Sequence, residues 1–323
     1  MKQIYKSLPI AAIAEKNPIT YFDIGSRGGF QSDLYPLAFA VDAVGFEPDP
    51  VEYERLQLLP SGPWKSITFL PYGVSNQTGS QTLYIPTDAQ SASLLKHNSA
   101  IGKKFDKPQF FEIVRTENVR TLSLNDALKQ TNFNFIDYLK IDIEGSELAV
   151  FKSSPEIMND MLAVKTENSF IHFRNDQPLA SEVDEFLRQI GFELMDITEP
   201  AHWRRHGYLI HPYYSSEKPP YSRAQIVQAD YLYFRDPDTL GEDIPKLLKL
   251  SLISMALGYF DHALMIMERP LIAKYLKNNF QISPMDIASS ASKIYGRKTF
   301  YHAFYRQFRD LIPFIRYFKN LLR

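Results

Sequence analysis

The sequence predicts an α/β fold: a doubly wound, mostly parallel seven-stranded sheet with a helical C-terminal region. Three observations carry that expectation. Seven short apolar runs recur through the first two thirds of the 323 residues, plausible helices lie between them, and the texture changes after Asp238. The runs are "TYFDI" at 20–24, "DAVGF" at 42–46, "ITFLPYGV" at 67–74, "IDYLKID" at 136–142, "LAVKTE" at 162–167, "FELMDI" at 192–197 and "DYLYFR" at 230–235. Several are apolar throughout, as strands covered on both faces by helices must be.

Helices are expected at "PVEYERLQLL" (50–59), "SLNDALKQ" (123–130) and "ASEVDEFLRQIG" (180–191), the last closing on a glycine suited to a C-cap. Beyond Asp238, "IPKLLKLSLISMALGYFDHALMIMERPLIAKYLKNNF" spaces its apolar residues by three and four, with no strand signal. Two units follow as an expectation: 1–238, built on the sheet, and 239–323, helical.

Composition narrows the function classes. Apolar residues at 45% and charged residues at 23% are ordinary for a globular chain. A net charge of -1 gives no reason to expect nucleic acid. Cysteine is absent, which excludes disulfides and thiolate metal sites and suits a reducing cytoplasm. The N-terminus has no sustained apolar core, so a cleaved secretory signal is not expected. Lys249, Asp261 and His262 interrupt the most apolar segment, 247–267, against a membrane span.

"YFDIGSRGGF" at 21–30 puts Asp23 at a strand end and Gly25, Gly28 and Gly29 directly behind it. Glycine permits positive φ and close backbone approach, so the stretch predicts a tight turn into a helix whose N-terminus meets a ligand. The spacing is not G-x-G-x-x-G, and the Asp23 carboxylate would repel a pyrophosphate. A ligand with an amine and a sulfonium would be attracted, its own carboxylate left to backbone N–H groups. S-adenosylmethionine has that charge pattern. "VGFEPDP" then places Glu47, with Pro48, at the end of the second strand, where a carboxylate can accept from both ribose hydroxyls.

These blocks, with "VRTLSLNDAL" at 119–128, "IDYLKIDIEGSE" at 136–147, "VKTEN" at 164–168 and "QADYLYFRD" at 228–236, resemble the FkbM-type family of S-adenosylmethionine-dependent methyltransferases. They stand in family order over about residues 18 to 236. The resemblance implies a Rossmann-like class I methyltransferase fold, methionine binding by the first block, ribose binding at Glu47 and a K-x-D-x-E-G block beside the transferred methyl. Arg27 departs from the family's commoner asparagine.

Methyl transfer to a hydroxyl needs a base or a metal. Asp142 and Glu144 end the fourth strand, and Glu167 and Asn168 end the fifth. Adjacent ends of a parallel sheet share one crevice. Asp142, Glu167 and Asn168 offer three hard oxygen ligands for Mg²⁺, an arrangement similar to that of catechol O-methyltransferases. The alternative is that Asp142 contacts backbone amides and the donor without a metal. His172 and Glu144 are the candidate bases. The expected acceptor is a hydroxyl of a carbohydrate, glycolipid or secondary metabolite. The rival readings are an NAD-dependent oxidoreductase and a non-catalytic nucleoside-binding domain serving assembly at a membrane.

Two segments are candidate walls for the acceptor. In "EPAHWRRHGYLIHPYYSSEKPPYSRAQ", Trp203, Tyr213 and Tyr214 are placed to stack on a sugar and Arg204 and Arg205 to meet anions. His202 and His206 lack a partnering acid, which argues against zinc. "TDAQSASLLKHNSA" at 87–100 covers the site from the other side or is a surface loop. At the C-terminus, Phe304, Phe308, Leu311, Ile315, Phe318 and Leu322 form one stripe at helical spacing beside five basic residues and one acid. That stripe fits peripheral contact with an anionic membrane, packing on its own domain, or a homo-oligomer interface.

Overall fold

A computed structural model describes residues 2–208 and 223–321, with the backbone alone for 302 and 306–321. Tyr213 and Tyr214 lie outside the described residues. In chain order the strands are β1 (Ile19–Ile24), β2 (Val41–Phe46), β3 (Ser66–Leu70), β4 (Gly73–Val74), β5 (Gly79–Pro86), β6 (Ile113–Leu122), β7 (Tyr138–Ile141), β8 (Ala163–Ser169), β9 (Phe192–Trp203) and β10 (Gln225–Arg235). Seven of them form the main sheet in the order β3-β2-β1-β7-β8-β10-β9. β1, β2, β3, β7 and β8 run parallel, and β10 is antiparallel to both of its neighbours. The expected doubly wound, mostly parallel sheet is therefore present.

Burial on both faces explains the apolar runs. Along β1, Ile19 and Tyr21 enter one core while Phe22 and Ile24 enter the other. Side chains alternate along a strand, so two buried faces require apolar residues at both parities. The second core is closed by the helices α4 (Leu124–Lys129), α5 (Glu147–Ser153), α6 (Pro155–Asp160) and α7 (Ala180–Gln189), which follow α1 (Ile10–Lys16), α2 (Pro50–Gln57) and α3 (Ser99–Phe105) in the chain. Capping sets their starts: the Asp49 side chain accepts from the Val51 N–H ahead of α2, and that of Ser123 accepts from the Asp126 N–H ahead of α4.

Two differences from expectation matter. "ITFLPYGV" is not one strand, because Pro71 has no N–H for the ladder and splits it into β3 and β4. A second sheet, β4-β6-β5, was not foreseen. β5 and β6 carry many exposed polar residues, so no apolar run announces them.

The connection from β1 to β2 contains only a 3₁₀ segment, Tyr35–Ala40. The face it leaves is covered by α1 and by the C-terminal helices, α8 (Ile244–Leu257), α9 (Phe260–Met267), α10 (Pro270–Phe280) and the start of α11 (Pro284–Leu321). Leu250, Ile253, Ile287 and Ala291 share one core with Tyr21, Val41 and Tyr138. Polar ties cross the same seam. The Tyr5 hydroxyl donates to the Met255 carbonyl at 2.8 Å, and Lys249 Nζ reaches Asp137 Oδ2 at 2.8 Å. Among the described residues no helix is long and apolar enough to cross a membrane.

Because α8 braces the sheet directly, Leu250→Ala should lower unfolding stability by about 2–5 kcal/mol. Urea unfolding followed at Trp64, which packs against this same core, is the check. An unchanged midpoint there would show that the helices do not support the sheet.

Candidate active site

A cavity of about 520 Å³ opens at the C-terminal ends of β1, β2 and β7. The glycine turn forms its floor, the 88–94 segment its opposite wall, and Glu47, Pro48, Asp142 and Glu144 stand around it. The segment 87–100 thus covers the site over part of its length.

The turn works by shape. Gly25 has φ +82°, and a Cβ there would lie 1.9 Å from the Asp142 carbonyl oxygen. Only glycine lets the β1 and β7 ends approach this closely. Two expectations are corrected. No helix starts behind the turn, since the chain reaches only the 3₁₀ segment before β2. The turn's amides are also already engaged: Gly25 and Ser26 donate to the Phe46 carbonyl, Gly29 to the Ser26 carbonyl, and Gly28 to Glu52 Oε1 at 2.8 Å. Gly28 and Gly29 line the cavity as open backbone, not as a ring of free donors.

Asp23 is fully buried and does not line the cavity. Its Oδ2 accepts from the Tyr21 hydroxyl at 3.0 Å, and its Oδ1 lies 3.3 Å from Lys140 Nζ. Lys140, to which the sequence reading assigned no role, also donates to the Gly25 carbonyl at 3.1 Å and stands 3.6 Å from Asp142 Oδ2. Burial pushes the Asp23 carboxyl up, while Lys140 pulls it down.

Glu47 sits at the wall with Oε1 accepting from the Asp49 N–H at 2.9 Å. Burial pushes its carboxyl up to about 7, and the Arg27 guanidinium, 3.7 Å away, opposes that shift. Arg27 itself donates to Asp49 Oδ2 at 2.8 Å, and Arg115 joins the same carboxylate at 2.9 Å. The arginine in the turn is therefore the near end of a charge network beneath Glu47.

Asp142, Glu144 and Glu167 bring carboxylate oxygens within 4.8 Å of one another. Glu144 adopts φ +63°, an uncommon conformation for a residue with a Cβ, and Gly145 follows at φ +115°. Glu147 stabilises this turn, its carboxylate accepting from the N–H groups of Ile143 and Gly145 at 3.0 and 3.1 Å. Arg174, missed in the sequence, reaches Glu144 Oε2 at 2.6 Å and donates to the Ser91 carbonyl at 3.0 Å. Glu167 Oε1 accepts from Gln228 Nε2 at 2.7 Å. Burial first, then the neighbouring carboxylates, push Glu167 well above the usual range; burial takes Glu144 to about 7 against the pull of Arg174.

The magnesium expectation finds no support in this donor set. Asn168 follows Glu167 in β8 and so points to the other face, where its Nδ2 donates to the Thr166 carbonyl. Of the carboxylates that do meet, Glu144 is held by Arg174 and Asp142 has Lys140 beside it. Two fixed cations already supply the charge a dication would bring.

His172 is exposed, its Nδ1 paired with the Gln177 carbonyl at 2.8 Å, and it belongs to neither the cavity wall nor the carboxylate group. Trp203 is not free to stack on a sugar: its ring lies 5.6 Å from that of Phe110 at an interplanar angle of 13° and packs with Phe105, Phe111 and Phe173. His206 pairs with Asp106 at 3.3 Å instead of with His202.

No curated protein sequence matches this chain significantly. Solved structures with a likeness include a Thermoplasma acidophilum protein (10% identity, 70% of this chain and 84% of that one, TM-score 0.27). The 23S rRNA methyltransferase ErmE shows 9% identity over 88% of this chain and 96% of its own, TM-score 0.31. The glycopeptide N-methyltransferase MtfA complexed with sinefungin shows 9% identity over 71% and 86%, TM-score 0.25. These likenesses are too distant to bear on the chemistry. The methyltransferase FkbM domain, in contrast, matches residues 23–194, over half the chain, and with the glycine turn, Glu47 and the acidic strand ends inside that span, the protein belongs to the FkbM methyltransferase family.

Proposed function

We propose that the protein transfers a methyl group from S-adenosylmethionine to a hydroxyl of a carbohydrate, glycolipid or secondary metabolite. The observation that carries this reading is one cavity with a ribose-type carboxylate, Glu47, on one wall and Asp142 and Glu144 on another, with the carboxylate of Glu167, which does not line the cavity, within 4.8 Å of both. The residues fit the donor. Gly28 and Gly29 leave bare backbone along the floor, and the ionised Glu47 has lone pairs for two ribose hydroxyls. S-adenosylmethionine, when bound, supplies an electrophilic methyl on a sulfonium. The rest is done by the chain. Asp142 and Glu144 present negative charge to a cationic donor, and the 88–94 segment walls the cavity opposite the glycine turn.

A hydroxyl acceptor must lose its proton as it is methylated. The group Asp142, Glu144 and Glu167 receives that proton. Burial raises the proton affinity of Glu144 and of Glu167, which suits a base that works near neutrality. The turn also disfavours an NAD-dependent oxidoreductase, since its amides are already engaged and Asp142 at the wall would repel a pyrophosphate.

Glu47→Gln should weaken S-adenosylmethionine binding about tenfold by calorimetric titration. The folded carboxyl ionises only near 7, above its ordinary value, so the accepting form grows with pH through that region. Affinity in the unaltered protein should therefore rise from about pH 6 to about pH 8, and the variant should lose that dependence. Equal affinities across both proteins and both pH values would remove Glu47 from the donor site.

Glu167→Gln should cut turnover by about 10²–10⁴ while leaving donor affinity unchanged. Turnover should persist in EDTA, because no dication is needed beside Arg174 and Lys140. Loss of activity in chelator, restored by Mg²⁺, would hand the acidic group's role to a metal.

A further inference from the structure

We propose that the distal half of α11 lies on an anionic membrane surface. The inference rests on this helix alone and is independent of the methyl-transfer reading.

The helix has two unlike parts. Ile287, Ala288 and Ala291 are buried in the core with α8 and α9. One turn beyond Gly296 the rings emerge: Phe300 is 66% exposed, Tyr301 71%, Phe304 53% and Tyr305 72%. The helix nevertheless continues unbroken to Leu321. At 1.5 Å per residue the part after Phe300 spans roughly 30 Å. A run of large exposed aromatics on one continuous helix is not the scatter of single apolar residues found on any surface.

The charge identifies the occupant. Taking Phe304 as zero at 100° per residue, the sequence spacing puts Phe308, Leu311, Ile315 and Phe318 within about 40° of it. By the same spacing Arg309, Arg316 and Lys319 come roughly 60–140° round to one side, Arg306 opposite, with Asp310 as the lone acid. The segment from 304 to 323 carries five positive charges and one negative, +4, in a chain of net charge -1. Basic side chains bordering an aromatic and aliphatic stripe sit at the level of lipid headgroups while the stripe enters the acyl boundary. A second copy of the chain would bring the same positive charge against itself, whereas anionic lipid complements it. The helix lies on the bilayer without crossing it, in keeping with the absence of any spanning helix among the described residues.

The test is co-sedimentation of the full chain with vesicles of phosphatidylcholine, with and without about one third phosphatidylserine. The protein should pellet with the anionic vesicles at low ionic strength and be released near 1 M salt, where the Debye length is about 3 Å. Arg309→Gln with Arg316→Gln should lower partitioning roughly thirtyfold. Phe300→Ser with Phe304→Ser, at positions whose exposure spares the fold, should abolish it. Pelleting that ignores lipid charge, or no pelleting at low salt, overturns the proposal. So does a lipid-free dimer in sedimentation velocity that the two Phe substitutions convert to monomer, since the stripe would then belong to a second copy.

Discussion

The buried ammonium of Lys140 is the constraint on which the strand ends depend. It sits between Asp23 at 3.3 Å and Asp142 at 3.6 Å and donates to the carbonyl of Gly25, so it ties the end of β1 to the end of β7 from within. Asp23 is fully buried, and burial raises its carboxyl even with the lysine in place. Removing one partner from such a pair leaves an uncompensated charge, which costs far more than the pair contributes. A second rung stands beside the first. Lys165, level with Lys140 across the β7–β8 ladder, meets Asp33 at 3.4 Å and Asp230 at 3.3 Å. Two residues below the first rung, on this same face, the hydroxyls of Tyr21 and Tyr138 donate upward to Asp23 and Asp33. The face therefore passes from aliphatic side chains through tyrosines to charges along the strand direction, and the charged end is where the cavity opens.

That gradient accounts for what the sequence shows and what it hides. The inner strands β1, β2 and β7 are legible because burial on both faces leaves apolar residues at both parities, whereas β3 and β9 at the sheet's edges are only partly buried. β5 and β6 are not legible, because they lie half-exposed at the rim and carry ordinary polar residues. The glycine turn and Glu47 are legible from spacing, since both follow strand ends within a few residues. Arg174 is not, because its partner Glu144 lies thirty residues away and no local pattern couples them. The placement of Asn168 was available: consecutive residues of a strand point to opposite faces, so Glu167 and Asn168 could not both reach Asp142. His172 was singled out by residue type alone, and residue type does not say where a loop points.

The β1–β2 connection links the fold's two departures from a plain doubly wound sheet. With only a 3₁₀ segment there, the face carrying Tyr21 and Tyr138 lacks a crossover helix long enough to cover it. The chain covers it from the far end, with α8, α9 and the first turns of α11. Lys249 reaches Asp137 across this seam, just below the strand that carries Lys140. The C-terminal helices are thus part of what holds the charged rungs in place, and α11 is anchored at its start and exposed further along.

The acids of the cavity are costly to the fold, and the sign of that cost separates them from structural pairs. Glu47 and Glu144 ionise near 7 in the folded chain, above the ordinary value of 4.5, chiefly because of burial. As pH rises past 4.5 the unfolded chain ionises first, so each group withdraws stability from there until the pH passes its folded value, and the loss persists above it. Asp49 behaves in the opposite way: burial would raise it, but Arg27 and Arg115 carry it below the ordinary range, so it adds stability above its unfolded value that is lost in acid. A chain selected for stability alone would have paired Glu47 and Glu144 as completely as it paired Asp49. Arg27 and Arg174 offset the burial of these two acids only in part, and acids so held at two walls of one cavity are the arrangement expected of a binding and proton-accepting site.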